Sequence, residues 1–365
     1  MGKMSQLGNE LYQGRKSINF VGKPWLFYAI SGALVALAVL VLFVKPLNMG
    51  VEFTGGTTVS VPVGAGKATQ SAADDLRSQV ADSGIQNAEN PTVTTEGDSA
   101  LVIQVENLSE KQRSEIAALV HKEFPSVAEN DLSVQDIGPS WGQEVAKRAA
   151  IGVGIFLLLV VLFIWGYFRE WRMSVAALIA LIHDVMLTVG VYALSGFQVT
   201  PAAVTGLLAI LGFSLYDTVV VFDKIKENEP SLGSVKGEAY TDMANRSLNQ
   251  VLMRSINTSF VALLPVASLL VVGVWIMGAL TLRDFGLALF VGLLSGAYSS
   301  IFVAAPILVW WKEREPRNRT IADRSASRSA RVAAATATGA DATLDSVPAA
   351  VITPKPRKAK GRKRR

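Results

Sequence analysis

The chain has 365 residues, half of them hydrophobic, with 35 basic against 30 acidic side chains and no cysteine. That composition places it among membrane proteins and excludes disulfides and thiolate metal sites, while two histidines leave little for any other metal centre. The formal charge of +5 belongs to the tail: 15 of the basic and five of the acidic residues lie from Lys312 onward, so the rest of the chain is net negative.

Residues 1–25 read as a polar N-terminal segment. Residues 26–44 are the first of six spans, because a hydrocarbon core about 30 Å thick takes about 20 apolar residues per helix. Lys45 and Pro46 stand where a signal peptide would have a small-residue cleavage site, so this span is read as retained. Residues 45–148 are polar and long enough for one small domain. Strand and helix patterns alternate through it: a strand over 57–63, an amphipathic helix over 68–82, and strands over 91–95 and 100–105. A helix over 109–124, capped by Ser109, and a strand over 132–137 complete it. The order β-α-β-β-α-β predicts a ferredoxin-like α+β domain. Ahead of it Gly50, Glu52, Phe53, Gly55 and Gly56 mark the exit from the membrane. The paired glycines precede a strand and not a helix, so they read as a φ > 0 turn in preference to a phosphate cradle. His121 falls on the second helix as a surface residue.

The remaining spans are 149–168, 175–194, 202–222, 259–280 and 285–311, with a loop over 223–258. From residue 312 the composition turns to Arg/Ser, then Ala/Thr, then Lys/Arg, and disorder is expected over 312–365. Lys and Arg gather in the N-terminal segment, between spans two and three, in the 223–258 loop and in the tail, whereas residues 195–200 carry no charge. Both termini are therefore predicted to be cytoplasmic and the 45–148 domain extracytoplasmic. A polybasic end beside a membrane favours anionic lipid over nucleic acid, with ribosomal RNA and acidic protein left open.

Polar residues inside the spans carry the functional signal. Asp217 lies about 15 residues from the outer end of span four, roughly 22–24 Å deep. A carboxylate there costs at least about 2.5–3.5 kcal/mol, so it needs a partner, a water path or a task. Balanced between desolvation and a nearby cation, such a group can take a proton from one side and give it to the other. Arg254 is the candidate cation, or else a positive-inside anchor that snorkels to the interface. Asp184 sits near the middle of span three and either extends a proton path or braces the bundle. His183 is its neighbour, but consecutive helix positions diverge by about 100°, so the two need not act together. A satisfied core histidine is the simpler reading.

Ser214 and Thr218 share one helix face, and Gly190, Gly196, Gly206 and Gly212 permit close backbone approach; packing explains them all. Asn257 and Thr258 either cap the start of span five or line the Arg254 site. Asp223 is a solvated helix end. The chain has no Gly-x-x-x-x-Gly-Lys-Ser/Thr loop, so ATP hydrolysis is not expected, and no cofactor is called for beyond protons as coupling ion.

Taken in order and at these depths, several runs resemble the SecF family of protein-export membrane subunits, within the RND superfamily. They are residues 50–56, His183-Asp184-Val185, the stretch 212–228 around Asp217-Thr218-Val219-Val220-Val221-Phe222-Asp223, Arg254-Ser255-Ile256-Asn257-Thr258-Ser259, and Asp284-Phe285-Gly286. The resemblance extends from the first span to Trp311. It departs at Glu52, where Asp is commoner, at Phe213 and Tyr216, where Tyr and Asn are commoner, and at Lys224 and Lys226, where Arg is usual.

What the resemblance implies is a six-span, non-enzymatic subunit of the bacterial cytoplasmic membrane that pairs with SecD in a pseudo-symmetric bundle. It would associate with SecYEG and SecA, with YajC and YidC as further partners, and use the proton-motive force to draw preproteins across. Asp217, Arg254 and Asp184 then form the proton pathway, with His183, Ser214, Thr218, Asn257 and Thr258 as supporting polar groups. Two other readings stand beside it. One is an RND small-molecule/proton antiporter, a class that normally has twelve spans and larger external domains. The other is a passive translocon assembly factor, for which the charge of Asp217 matters little.

Overall fold

The computed structural model describes residues 10–11, 13, 16–22, 24–96, 99–232, 238–276 and 280–337. Six of its helices are long and apolar enough to cross a membrane. They are built from α1 (Pro24–Val44), α5 (Pro139–Phe168), α6 (Trp171–Ser195), α7 (Pro201–Asn228), α8 (Tyr240–Ser268) and α9 (Leu280–Ser299), the last continuing into α10 (Ala305–Lys312). Proline opens α5 and α7, where its missing N–H costs nothing. Gly196 closes α6 in the left-handed region, φ 73°.

Two stretches tighten neither to α nor to loop. Leu269–Ile276 extends α8 as a π-helix, and Ser300–Ala304 is a π-helical turn between α9 and α10. Exposed Trp25, Trp165, Trp171 and Trp310 sit at one end of the up-and-down bundle and exposed Trp141 at the other, the distribution of interfacial aromatic belts.

Small residues set the helix spacing. A Cβ on Gly190 of α6 would come within 2.5 Å of the Ala38 Cβ on α1, and one on Gly292 within 2.3 Å of Ile210 on α7. Gly206 likewise faces Phe285 and Ala288 of α9. Gly212, expected to permit a close approach, has no such neighbour within 4 Å.

Between α1 and α5 lies the α/β domain. After β1 (Asn48–Met49) and the single helical turn α2 (Val51–Thr54) come β2 (Gly56–Pro62), α3 (Gln70–Ala81), β3 (Thr92–Glu96), β4 (Ala100–Val105), α4 (Glu110–Glu123) and β5 (Ser133–Ile137). The sheet order is β3-β4-β2-β5, every pair antiparallel. Alternation along β2 and β4 turns Val59, Val61, Leu101 and Ile103 onto Leu76, Val80, Ile116 and Val120 of the two helices. Ser109 caps α4 through a capping box with Gln112.

The domain is clasped to the bundle twice. β1 pairs in parallel with β6 (Gln198–Val199), the link between α6 and α7. The α2 turn meets the start of α5, where a Cβ on Gly142 would fall 2.7 Å from the Phe53 carbonyl oxygen. At the bundle's opposite end residues 17–20 lie across α8. Ile18 N donates to Asn249 Oδ1 (2.8 Å), Asn249 Nδ2 donates to Ile18 O (2.9 Å), and Phe20 N donates to Asn245 Oδ1 (2.8 Å). Phe20 is buried, edge-on to Phe302 at 5.7 Å.

Three expected boundaries change. The loop over 223–258 is mostly helix, since α7 runs to Asn228 and α8 begins at Tyr240. Charges such as Lys224 and Glu227, paired at 2.9 Å, end an apolar run without ending a helix. Helix α5 likewise starts ten residues ahead of the span expected at 149, with polar turns the hydropathy pattern ignores. Residues Pro316–Ala337, expected to be disordered, form helix α11; the rest of that tail, 338–365, lies outside the described residues, as do 277–279 of the fifth span.

Candidate functional site

Close packing of α6, α7 and α9 brings their few hydroxyls onto one carboxylate. Asp184, 1% exposed, accepts Ser295 Oγ at 2.6 Å on Oδ1, and Ser214 Oγ at 2.7 Å and Ser299 Oγ at 2.8 Å on Oδ2. The His183 ring turns back onto its neighbour, with Nδ1 3.2 Å from Asp184 Oδ1, so the expectation that the two diverge does not hold. That ring stacks on Tyr298 at 6.1 Å between centroids, and the Tyr298 hydroxyl meets Ser31 of α1 at 2.9 Å. The histidine's Nε2 is buried with no hydrogen-bond partner among the described residues.

Asp217, 2% exposed, is served more sparsely. Ser255 Oγ of α8 donates to its Oδ1 at 2.9 Å, while Oδ2 is buried without a partner among the described residues. One residue away on each helix a second bond crosses the same gap: Arg254 Nη2 donates to the Tyr216 hydroxyl at 3.3 Å. Arg254 is exposed and, among the described residues, is not ion-paired with Asp217. Thr218 Oγ1 lies 3.0 Å from Ser300 Oγ, which also donates to the Gly296 carbonyl at 2.8 Å. The π-helical turn starts at Ser300, and Ser299 and Ser300 serve different neighbours, Asp184 on α6 and Thr218 on α7. A polar track thus runs Asp184–Ser299/Ser300–Thr218, then one residue along α7 to Asp217 and across to Ser255.

Asn257 and Thr258 do not cap a helix start, because α8 begins at Tyr240, well before them. Asn257 is exposed, and Thr258 Oγ1 donates back to the Arg254 carbonyl at 2.9 Å. Asp223 is exposed, but it lies within α7, five residues before the helix ends at Asn228, and is not the helix end expected. The sequence reading missed Ser255 as a ligand of Asp217, and missed Ser295, Ser299, Ser300 and Tyr298 altogether. The available signal was Ser295 and Ser299 four apart inside an apolar span.

The glycine motif is a joint. Gly55 adopts φ 80° and ψ 159°, and a Cβ there would stand 2.7 Å from Pro139 Cα. Its N–H is used by the Val51 carbonyl (2.8 Å), and that of Gly50 by the Val199 carbonyl (3.0 Å), which leaves neither for an anion. Phe53 is buried under the turn, a Cβ on Gly56 would collide with the Val105 carbonyl oxygen at 2.4 Å, and Glu52 keeps Oε2 buried without a partner among the described residues. At the far end of the bundle buried Lys312 joins Glu170 (2.5 Å) and Glu229 (3.2 Å), and Arg172 contacts Glu315.

Residues 117–314 match the family model described as protein export membrane protein SecD/SecF, C-terminal, and residues 40–66 match the SecD/SecF GG motif. The chain is 42% identical to protein translocase subunit SecF of Streptomyces coelicolor, over 92% of this chain and 87% of that one. It is 39% identical to the SecF of Mycobacterium tuberculosis strain H37Rv, over 86% and 71%. The crystal structure of SecDF from Thermus thermophilus, a translocon-associated membrane protein, superposes with a TM-score of 0.68 at 32% identity, over 82% of this chain. The chain spans 39% of the length of that SecDF.

Proposed function

Because the chain belongs to the SecD/SecF family of protein-export membrane proteins, we propose that it is the SecF-type half of a proton-driven export machine. Paired with SecD in the bacterial cytoplasmic membrane, it uses the proton-motive force to assist SecYEG- and SecA-dependent translocation of preproteins. The ferredoxin-like domain stands outside and both termini inside, a placement supported by the distribution of Lys and Arg.

The observation that carries this reading is the uneven bonding of Asp217. A proton added at Oδ2 leaves the Ser255 bond to Oδ1 in place, so the group can be loaded and unloaded without unpacking α7 from α8. Arg254, beside Ser255 on α8, can turn from Tyr216 toward the carboxylate and favour its charged form. An intramembrane guanidinium on an exposed face calls for cover. Val261, 64% exposed and two turns further along the same helix, continues that face, against which we place the SecD half-bundle. One charge crossing 100 mV is worth about 2.3 kcal/mol, enough to bias two positions of the external domain by roughly fifty-fold.

The test is export of a model preprotein into inverted membrane vesicles holding SecD and this chain, wild type or Asp217→Asn, at fixed ATP. The proton gradient is left intact or collapsed with an uncoupler. Asp217→Asn is expected to remove the gradient-dependent part of export alone. If both proteins respond to the gradient alike, the carboxylate is structural and the coupling reading is wrong.

A further inference from the structure

Asp184 and Asp217 are equally buried, yet their surroundings differ in kind. Asp184 has both oxygens engaged, by Ser295 and His183 on one and by Ser214 and Ser299 on the other, all within 3.2 Å. Among the described residues Asp217 has one hydroxyl donor, on Oδ1, and no partner on Oδ2. Hydrogen bonds to a charged acceptor are the strong ones. A proton arriving at Asp184 would weaken several of them at once and place a donor among donors.

The donors also come from different helices: Ser214 from α7, Ser295 and Ser299 from α9, His183 from α6 itself. Ser214 is one helical turn before Asp217, and Ser299 adjoins Ser300, the partner of Thr218. Gly296, between the two α9 donors, lets Ser214 approach so closely that a Cβ there would stand 2.8 Å from it.

We propose that Asp184 is a positioning residue: its serine cage pins α6 to α7 and α9 and so fixes where Asp217 stands, and it is not itself a station for the transported proton. This rests on the coupling reading of Asp217 and assigns its neighbour the other of the two roles a buried carboxylate can have.

The experiment uses the same vesicles with SecD and the full chain, comparing Asp184→Asn, Asp184→Ala and the double variant Ser295→Ala/Ser299→Ala, with Asp217→Asn as control. Thermal unfolding of each purified protein in detergent is read alongside. Asparagine keeps an acceptor oxygen, and the serine hydroxyls can rotate to accept from its amide. Asp184→Asn is therefore expected to keep gradient-dependent export within about twofold of wild type, because the hydrogen-bond network is retained in the variant. Asp184→Ala and the double serine variant are expected to lower both the unfolding midpoint and export.

The proposal is overturned if Asp184→Asn unfolds like wild type but has lost the gradient-dependent component, because Asp184 then moves the proton. Should Asp184→Asn fail to insert, the double serine variant decides: an unchanged midpoint sinks the pin, a lowered one supports it. If Asp217→Asn alone leaves the gradient response intact, the coupling reading falls, while the midpoints still judge the pin.

Discussion

At Gly296 of α9 an added methyl group would stand 2.8 Å from the Ser214 Cβ and 3.2 Å from its Cα. Ordinary contact begins at 3.4 Å, so Gly296→Ala must part α7 and α9 by about 0.6 Å at this point. The obstacle includes backbone, and no rotamer of Ser214 removes it. The same shift stretches the Thr218–Ser300 bond, now 3.0 Å, to about 3.6 Å, outside hydrogen-bonding range. Overpacking of a tight contact costs about 1–3 kcal/mol, and one interhelical hydrogen bond in a membrane adds about 0.6 kcal/mol. A net loss of about 2 kcal/mol, or roughly thirty-fold in the folding equilibrium, is expected.

The assay is reversible unfolding in mixed detergent micelles, with Gly212→Ala as the internal control. Gly212 lies on α7, two residues from Ser214, with nothing within 4 Å of an added Cβ. There alanine should be neutral or stabilising by up to about 1 kcal/mol, through helix propensity alone. If the two variants unfold alike, the helices are not in the contact on which the Asp184 cage depends.

Gly55→Ala places a Cβ against the Pro139 backbone at a φ, ψ combination that only glycine adopts freely; a loss of about 1–3 kcal/mol is expected, seen as faster proteolysis of the α/β domain in intact membranes. Lys312→Ala leaves Glu170 and Glu229 without their buried cation and should cost about 3 kcal/mol of unfolding free energy, with Glu170→Gln in the same chain recovering part of it; no recovery would place the loss in packing. Ser109→Ala removes the α4 capping box and should cost about 1 kcal/mol, measured as faster amide hydrogen exchange in the first turn of that helix and nowhere in the bundle.

The elements that sequence made legible are those whose signal is a period. Six apolar stretches, the alternation in β2 and β4 and the Ser109 cap are all local patterns; the elements of the α/β domain came out within two residues of their places, while α5 and α8 start ten and nineteen residues ahead of their apolar spans. What escaped is chemistry that has no period. A serine inside a span is nearly as small as alanine and passes for packing, so only the fold reveals that Ser214, Ser295 and Ser299 converge on Asp184 from two helices. Helix α11 escaped for a different reason. Its Arg/Ser/Ala composition cannot bury a core, but alanine and arginine are strong helix formers, and buried Asn318 anchors its first turn by donating to the Lys312 carbonyl. The helices also outran the apolar windows, because hydropathy reports where lipid ends and not where a hydrogen-bonded ladder does.

The strip of chain at Ser17–Phe20 has its amide partners on Asn245 and Asn249, 225 to 231 positions further along. A ribosome adding about 5–20 residues per second needs roughly 10–50 seconds to cover that distance. For most of that interval the first span is already made while the strip just ahead of it waits for a helix not yet synthesised. Phe302, the ring that Phe20 packs against, arrives later still. The strip therefore records the order of manufacture. It is made well before its partners and is among the last stretches to find its place, so its protection from exchange in pulse-labelled nascent chains would time the closing of the whole bundle.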